Sequence, residues 1–421
     1  MFSGSGGVAH IETARPDLPN AGVAQALIPP FNQFLRVPYK VLAIETPSEF
    51  TYASGSGSTV RAWNWRNGKS RRAFKGHTGP VTSIALDYPA GLLYTGSWDQ
   101  RIGVWDLKTG DNVKYVAEHL DFVKALAVFP EHKRLVSGDA KGVMKVWDTE
   151  TMTVVQTIYH HSRSVDSIIR LGSSDLFCSA SSDRAVCVWR LGAEAPEVSL
   201  PVSDDIAKNM AGHLTGVLDL VYDEGTGLLY TACADRFVRC WRLPQTSDGQ
   251  AVMQWVSPHT LNTGVTAQVG TKYEEAAHDR ILPVLSDWPL SIALSADRAH
   301  MVCGLRDGRV TVLDNSDGSV VGSVKPHKDG IASIECVSML DSGDKDVPQS
   351  EQTPVECVVT GSWDFSLRRR RLGDLLAEIK GVDREEGEGE GEDSFEDTDD
   401  MLDDPEVAEM QRERLRAMLG M

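Results

Sequence analysis

Short apolar runs separated by turn-forming residues dominate the stretch from residue 76 to residue 106. Residues 81–86 and 92–95 are mainly apolar, and residues 101–105 alternate between apolar and polar side chains. Pro, Gly and Asp residues separate these runs. Runs of this length with such boundaries are typical of β-strands. The pattern therefore predicts three short antiparallel strands in this stretch.

The same unit recurs along the chain at a constant spacing. Four His–Trp pairs are each 28 residues apart, namely His77 and Trp105, His119 and Trp147, His161 and Trp189, and His213 and Trp241. In three of these units an Asp stands six residues before the Trp, as Asp99, Asp183 and Asp235. In the fourth unit Lys141 takes this place, and Asp139 lies two residues upstream. Four copies at one spacing indicate an internal repeat.

Weaker copies of the strand pattern flank these four units and raise the count to seven. Two of the additional copies end at Trp63-Asn64 and at Leu313-Asp314. The third begins at His327, contains Trp363-Asp364 and ends at Arg370, which stands in place of the Trp. Two insertions, residues 257–286 and 341–354, interrupt the pattern. Insertions in repeat proteins are typical of loops on the faces of the fold.

Gly-His, Ser-x-Asp and Trp-Asp, repeated every ~40 to 45 residues, resemble the WD40-repeat family. The resemblance covers residues 36–380. It implies an all-β fold: a seven-bladed β-propeller with four-stranded blades around a central channel. In this family the fourth strand of each blade follows the Trp-Asp pair.

The resemblance also implies a hydrogen-bonded set with a structural role inside each blade. Its members are the His, a Ser or Thr of the second strand, the turn Asp and the Trp. The expected sets are His77, Asp99 and Trp105; His161, Asp183 and Trp189; and His213, Asp235 and Trp241. The hydroxyl or thiol candidates are Thr95 or Ser97, Ser179 or Ser181, and Thr231 or Cys233.

Two segments compete for the fourth strand of the last blade. Residues 23–28, before the first repeat, have a strand pattern and could close the ring. Residues 375–380, after the last repeat, have one as well. Only one segment can occupy the place, and we expect the C-terminal one.

Both ends of the chain have compositions that do not support a core. Residues 1–35 are rich in Gly, Ala and Pro and are predicted to be a flexible arm. Residues 381–404 are mostly acidic with interspersed Gly and are predicted to be a disordered linker. Residues 405–421 begin with Pro after an Asp and are predicted to form a short amphipathic helix on binding. Ser394, followed by acidic residues, is a candidate phosphosite.

Composition narrows the class of protein. The formal net charge of −18 over 421 residues argues against a general phosphate-backbone binder, although much of this charge belongs to the tail. No apolar run approaches the ~18 to 20 residues of a membrane span, and the N-terminus lacks the features of a secretory signal. The seven Cys contain no C-x-x-C pair, which favours reduced thiols and a cytoplasmic or nuclear location.

No catalytic motif is present in the sequence. Walker, H-E-x-x-H and G-x-S-x-G patterns are missing. The repeated His and Asp residues would lie in separate blades, so we expect neither an enzyme nor a cofactor or metal site. Function is therefore expected at the surface.

One end of the propeller is the candidate surface. The residue before each turn Asp should point toward this end, and Trp98 and Trp363 hold equivalent positions in the second and seventh blades. Arg306 has the same position in the sixth blade, and Phe122 and Arg163 follow a repeat His by two or three residues. Large aromatic residues and Arg are typical of interface anchors.

These features predict a non-enzymatic scaffold that presents a propeller face to a partner peptide or domain within a multiprotein complex. One alternative is a substrate receptor of a ubiquitin ligase, since such family members often carry Trp-Asp-x-Arg. Trp63-Asn64-Trp65-Arg66 and Trp105-Asp106-Leu107-Lys108 each miss this motif by one residue. Another alternative is a nuclear assembly or chaperone factor whose acidic tail binds a basic client. All three hypotheses involve protein partners, and direct nucleic-acid binding is not expected.

Overall fold

The structure is a computed structural model that describes residues 33–47, 50–65, 67–193, 198–199, 213–242, 254–255, 285–340 and 354–381. These residues lie in one compact unit, Met1–Val382. The predicted N-terminal arm up to residue 32, most of both insertions, the acidic linker, Ser394 and the predicted terminal helix lie outside the described residues.

Twenty-eight strands in the described residues form seven four-stranded antiparallel sheets. Each sheet is one blade, with strands a to d from the channel outward. The strands of blades 1 to 4 are β2 (Val41–Glu45), β3 (Phe50–Gly55), β4 (Thr59–Asn64), β5 (Ser70–Lys75); β6 (Val81–Asp87), β7 (Leu92–Ser97), β8 (Ile102–Asp106), β9 (Asn112–Val116); β10 (Val123–Phe129), β11 (Arg134–Asp139), β12 (Val143–Asp148), β13 (Thr153–Tyr159); and β14 (Val165–Arg170), β15 (Leu176–Ser181), β16 (Val186–Arg190), β17 (Val198–Ser199).

Blades 5 to 7 follow the same order, except that the last outer strand comes from the start of the chain. Their strands are β18 (Val217–Asp223), β19 (Leu228–Cys233), β20 (Phe237–Arg242), β21 (Gln254–Trp255); β22 (Pro289–Leu294), β23 (His300–Leu305), β24 (Val310–Asp314), β25 (Val320–Val324); and β26 (Ile331–Leu340), β27 (Pro354–Ser362), β28 (Ser366–Arg371), β1 (Gln33–Arg36). A short 3-10 helix, Pro130–His132, joins β10 to β11.

The inner strands form a closed ring. Each a strand contacts the a strands of both neighbouring blades, from β2 through β6, β10, β14, β18, β22 and β26 back to β2. The ring encloses a central channel with a cavity of about 490 Å³. The fold is therefore the predicted seven-bladed β-propeller.

The core lies between adjacent blades rather than at one centre. The first residue of the a strand is a fully buried Val or Ile in six blades. It packs on the neighbouring sheet, as Val123 of blade 3 does against Gly96 of blade 2. β-Branched side chains fit such a pleated, two-sided surface. In blade 6 this first residue is Pro289, at a position where a missing N–H is tolerated.

The N-terminal segment closes the seventh blade. β1 pairs antiparallel with β28, with Gln33 opposite Arg369 and Arg36 opposite Ser366. The Arg369 guanidinium also donates to the Gln33 side-chain carbonyl at 2.8 Å. The closing strand therefore lies after residues 23–28, which are outside the described residues.

The prediction of a closing strand at residues 375–380 is wrong. This segment belongs to helix α1 (Leu372–Ile379). Leu372, Leu375, Leu376 and Ile379 recur at helical spacing and pack between blades 6 and 7. Arg370 of β28 forms an ion pair with Glu378 of this helix. Within the described ranges, no helix is long and apolar enough to cross a membrane.

Candidate functional site

A buried polar set joins two strands of blade 2, the turn between them and the loop that precedes the blade. His77 Nδ1 lies 2.8 Å from Asp99 Oδ2, and His77 Nε2 lies 2.7 Å from Thr95 Oγ1. The Trp105 indole N–H donates to the same hydroxyl at 2.8 Å. Burial opposes ionisation of Asp99, but hydrogen bonds from His77 and the Thr78 N–H hold its pKa below the ordinary value. Because every buried polar group of the set has a hydrogen-bond partner, the set stabilises the blade.

Blade 4 has the same arrangement, with Ser179 as the central hydroxyl. His161 lies 3.0 Å from Asp183 and 2.8 Å from Ser179, and Trp189 donates to Ser179 at 2.8 Å. The other candidate, Ser181, instead donates to a loop carbonyl and accepts the Asp183 N–H.

Two further sets were missed by the sequence argument. In blade 3, His119 lies 2.9 Å from Asp139 and 2.6 Å from Ser137, so Asp139 replaces the missing turn acid. In blade 7, His327 bonds Asp364 and Thr360, although the Trp is absent. The signal in blade 3 was an acid displaced by two residues.

Blade 5 departs from the expected set. Arg239, rather than Asp235, is the partner of His213, with its guanidinium 3.3 Å from Nδ1. Asp235 pairs with Arg239 at 2.9 Å, while Trp241 still donates to Thr231 at 3.0 Å. Burial and the charge of Arg239 lower the pKa of His213 to about 3. The expected His213–Asp235 contact is therefore replaced because a longer cationic side chain fills the space between them.

The same residues bring three potential metal ligands together. His213, Cys233 and Asp235 place one ligand atom each within 4.8 Å of the others. The Arg239 guanidinium lies among them, and its positive charge opposes a second cation in the same buried place. His213, Cys233 and Asp235 are better explained as part of a variant of the hydrogen-bonded set seen in blades 2 and 4.

Seven equivalent backbone hydrogen bonds define one end of the ring. In every blade the residue after strand b donates its N–H to the carbonyl before strand a. These bonds run from Ser56 to Lys40, Trp98 to Pro80, Ala140 to Phe122, Ser182 to Ser164, Ala234 to Gly216, Arg306 to Trp288 and Trp363 to Gly330, at 2.9–3.0 Å. We call this end, formed by the b–c turns and the d–a loops, the rim face.

The tip of each b–c turn has a left-handed backbone. The third residue after strand b has a positive φ in all seven blades: Ser58, Gln100, Gly142, Arg184, Arg236, Gly308 and Phe365. Gly adopts this conformation at little cost, whereas a bulky residue rarely does. Phe365, at φ 65°, is nevertheless 43% exposed.

One aromatic cluster on the rim face joins blades 2 and 3. Trp98 stacks on Phe122 with ring centroids 5.0 Å apart, and only 7% of Trp98 is exposed. Trp98 therefore supports the face from beneath. Leu120, two residues before Phe122, is 80% exposed. Leu120 was not among the residues predicted from the sequence, although an apolar residue in a turn was the available signal.

A second cluster lies on blades 6 and 7. The Trp363 ring covers Gly330, where a Cβ atom would lie 2.7 Å from Trp363 Cε3. Arg306 lies over the Trp288 ring at 4.3 Å and pairs with Asp287 at 3.4 Å. Blade 1 separates this cluster from the first one.

The remaining candidate, Arg163, lies apart from both clusters. It is an exposed residue of the d–a loop that leads into blade 4. The structure therefore places the five candidate residues on one face but does not gather them into one pocket.

Two carboxyl groups in the channel were not anticipated. Glu45 and Glu335 are each the fifth residue of an a strand, in adjacent blades 1 and 7. The five other blades have Ala85, Ala127, Ile169, Val221 and Ala293 at this position. Burial raises the pKa of Glu45 to about 8, with a contribution from Glu335, and burial raises the pKa of Glu335 to about 7.

The comparison with protein families agrees with this architecture. The model of the WD domain, G-beta repeat, matches residues 68–106, 110–148, 152–190 and 205–242. The first three matched segments each span the outer strand of one blade and the three inner strands of the next, and the fourth contains the three inner strands of blade 5. A comparison with curated proteins finds no match. Four matched repeats on a closed ring of seven four-stranded blades identify the chain as a WD40-repeat β-propeller.

Proposed function

We propose that this chain is a non-enzymatic interaction scaffold that holds a partner peptide or domain on its rim face within a multiprotein complex. WD40 propellers are typically protein-interaction scaffolds, which supports the general class. The observation that carries the specific proposal is the exposure of Leu120 and Phe365 in turn and loop positions of this face.

The exposed side chains offer binding energy. Removing a Leu or Phe side chain from water contributes roughly 1.5–3 kcal/mol when burial is complete. Phe365 also occupies a backbone conformation that costs a bulky residue energy, and such outliers concentrate at functional sites. Polar residues at both positions would serve the isolated propeller better.

Packed aromatic rings lie at neighbouring positions of the rim face. Phe122 rests on the buried Trp98, and Trp363 rests on Gly330. A partner would therefore meet preorganised aromatic surfaces, and less conformational entropy would be lost on binding.

The test compares partner capture by three forms of the intact chain. In the rim variant, Leu120→Ser and Phe365→Gly remove the exposed apolar groups. In the control variant, Val113→Thr and Val155→Thr remove exposed apolar groups from the outer strands β9 and β13. Quantitative mass spectrometry of proteins captured from cell extract should show partners lost from the rim variant alone. Equal capture by the wild type and the rim variant would exclude the rim face as the partner site.

The alternatives gain no specific support from the described residues. In the first near-match to the ligase-receptor motif, Trp65 is buried and donates to Thr51 at 2.8 Å, so it stabilises blade 1. The acidic tail, which would bind a basic client, lies outside the described residues.

A further inference from the structure

We infer that the outer strand of blade 3, β13, is a second binding surface, at which an extended, uncharged segment of a partner protein adds to the blade as a fifth strand. Among the described strands, β13 pairs with β12 alone and forms the outer edge of its sheet. Strand pairing uses the backbone groups of alternate residues, so the other residues of an edge strand direct N–H and C=O groups outward. Another strand can pair with these groups. This surface is separate from the rim face and goes beyond the proposed function.

The other six outer strands are short, charged or interrupted by Gly. β17 and β21 have two residues each. Charged residues occur in β1, β5 and β9, as Arg36, Arg71 and Lys114. β25 contains Gly322, which packs against Ile379 of α1. Short length and charge prevent a sheet edge from pairing with other chains, and Gly weakens a strand.

β13 has none of these protective features. It is the longest of the outer strands as described, with seven residues, and its sequence TVVQTIY contains no charged residue, Gly or Pro. Val155 is 56% exposed, and Tyr159 is 81% exposed, the highest value for a large apolar residue in the described part of the chain. A long, uncharged edge with exposed apolar side chains favours aggregation unless another strand covers it. A partner strand on this edge explains why it lacks protection.

The part of β13 nearest the rim face is a regular strand. Residues Gln156–Tyr159 pair with β12 in unbroken register, and a bulge at Val155 precedes them, as at the equivalent positions of β5 and β9. Ile158 is buried in the core between blades 3 and 4. The Gln156 side-chain amide donates to the Ala193 carbonyl of blade 4 at 2.7 Å. Because these contacts already order the edge, less conformational entropy would be lost when a partner strand binds.

The length and composition of the edge indicate its occupant. At ~3.3 Å per residue, residues 155–159 extend over about 17 Å. This length suits a short segment, whereas two propellers joined by this edge alone would bury less than the ~1,200 Å² of a stable interface. A charged residue opposite β13 would lose hydration without gaining an ion pair with this strand. An uncharged segment rich in β-branched residues therefore fits the edge best.

The N-terminal segment with a strand pattern, residues 23–28, cannot reach this edge. It ends five residues before Gln33 of β1, and five residues span at most about 18 Å. Blades 1 and 2 lie between blade 7, which contains β1, and blade 3. Sheets that pack face to face lie ~10 Å apart, so three such steps exceed this reach. Residues 23–28 are therefore not the occupant.

The test uses the full chain and an edge variant that copies the protection found in blade 1. In this variant, Val155→Arg and Tyr159→Lys install the residues that β5 has at the same positions, Arg71 and Lys75. Because blade 1 forms with these residues, the edge variant should keep the fold, which circular dichroism checks. It should lose the partner segment, since charged side chains on an edge oppose the addition of an apolar strand.

A matched control adds the same charges to blade 2. Val113→Arg and Ala117→Lys change the corresponding positions at the outer strand β9. This control should bind the partner segment like the wild type. The Val113→Thr and Val155→Thr control of the rim test should bind it as well, because Thr is uncharged and β-branched and retains the strand.

The probe is selected from random peptides displayed on yeast, with the wild-type chain as the soluble target. The wild type should enrich uncharged peptides rich in β-branched residues. The best peptide is then synthesised with a fluorescent label. Fluorescence anisotropy should show about tenfold weaker binding to the edge variant than to the wild type or the matched control.

Two further measurements distinguish strand addition from binding through side chains alone. Methylating one backbone nitrogen of the peptide at a time should weaken binding by about two- to tenfold at every second position, because only alternate N–H groups face β13. Hydrogen exchange in residues 155–159 should slow when the peptide binds. Equal effects of methylation at all positions would contradict strand addition.

Other results would overturn the inference without deciding the proposed function. Peptide binding that persists in the edge variant would exclude β13. If that binding is lost on Leu120→Ser and Phe365→Gly, the peptide occupies the rim face and the proposed function is supported. No enrichment of peptides by the folded chain would exclude a peptide site at β13. A dimer in analytical ultracentrifugation that the edge variant abolishes would show that a second copy, rather than a partner segment, covers the edge.

Discussion

Trp98 of blade 2 stacks on Phe122 of blade 3, with their planes 16° from parallel. The two rings belong to different blades, so the stack fastens one sheet to the next at the rim face. Because Trp98 is almost fully buried, it contributes to stability as well as to the shape of the face.

Replacing Trp98 by Ala should therefore lower the free energy of unfolding by about 3 kcal/mol, because the buried ring and its stacking contact with Phe122 are both lost. Chemical denaturation followed by circular dichroism measures the change. Trp98→Phe retains a ring above Phe122 and should cost much less. Equal losses for the two variants would show that the stack is unimportant.

Removing the central hydroxyl of the hydrogen-bonded set in a blade should destabilise the chain more when more side chains bond to that hydroxyl. Thr95→Val leaves both His77 and Trp105 without this partner, whereas Thr231→Val in blade 5 affects Trp241 alone. Each buried polar group left without a partner costs about 1–3 kcal/mol. Thr95→Val should consequently destabilise the chain about twice as much, measured by denaturant unfolding. A larger loss for Thr231→Val would contradict this account.

The channel carboxyls predict a specific pH dependence. Glu45 and Glu335 have pKa values of about 8 and about 7 in the folded chain, against about 4.3 for an unfolded Glu. Between these values the folded state binds more protons than the unfolded state. Stability should therefore fall as pH rises from about 5 to about 8.

Changing both residues to Gln removes this contribution. The Glu45→Gln and Glu335→Gln variant should be more stable than the wild type near pH 8 and should show a shallower decline. Urea unfolding across the pH range measures the free energy of unfolding of each variant. Glu118→Gln, which changes an exposed loop residue, is the control. A double variant that keeps the full decline would place its origin elsewhere.

Phe365→Gly should separate stability from binding. Gly accepts the left-handed turn at φ 65° without the penalty of about 1 kcal/mol that an L-residue meets there. The variant should unfold at an equal or higher denaturant concentration while it loses captured partners. Ser58→Gly, at the same position of blade 1, should retain them. A marked loss of stability on Phe365→Gly would show that the ring has a structural role.

The repeats could be predicted because several blades use the same buried polar set at the same spacing. His77, Asp99 and Trp105 can be found in the sequence since they serve one another within one blade. Features that depend on a neighbouring blade could not be found in this way. The burial of Trp98, for example, requires Phe122 from the next loop. The altered set of blade 5 lies within one blade, but it depends on a single residue, Arg239 opposite Thr231, that the repeat spacing does not reveal.

The closing strand was missed for a related reason. β1 has only four residues, and its partner becomes apparent only when the ring is complete. The segment that was preferred, residues 375–380, follows the last repeat directly and contains apolar residues. Those residues suit a strand or a helix until the groove between blades 6 and 7 selects the helix.

The pairing of β1 with β28 also sets an order of events during synthesis. Gln33 and Arg369, which meet in the closing blade, are 336 residues apart. At about 5–20 residues per second, the ribosome adds the intervening chain in tens of seconds. Among the described strands, β1 is thus the first to emerge and the last to find its partner. Throughout that interval the nascent propeller is an open arc with unpaired edges, and chaperones have their longest opportunity to bind it.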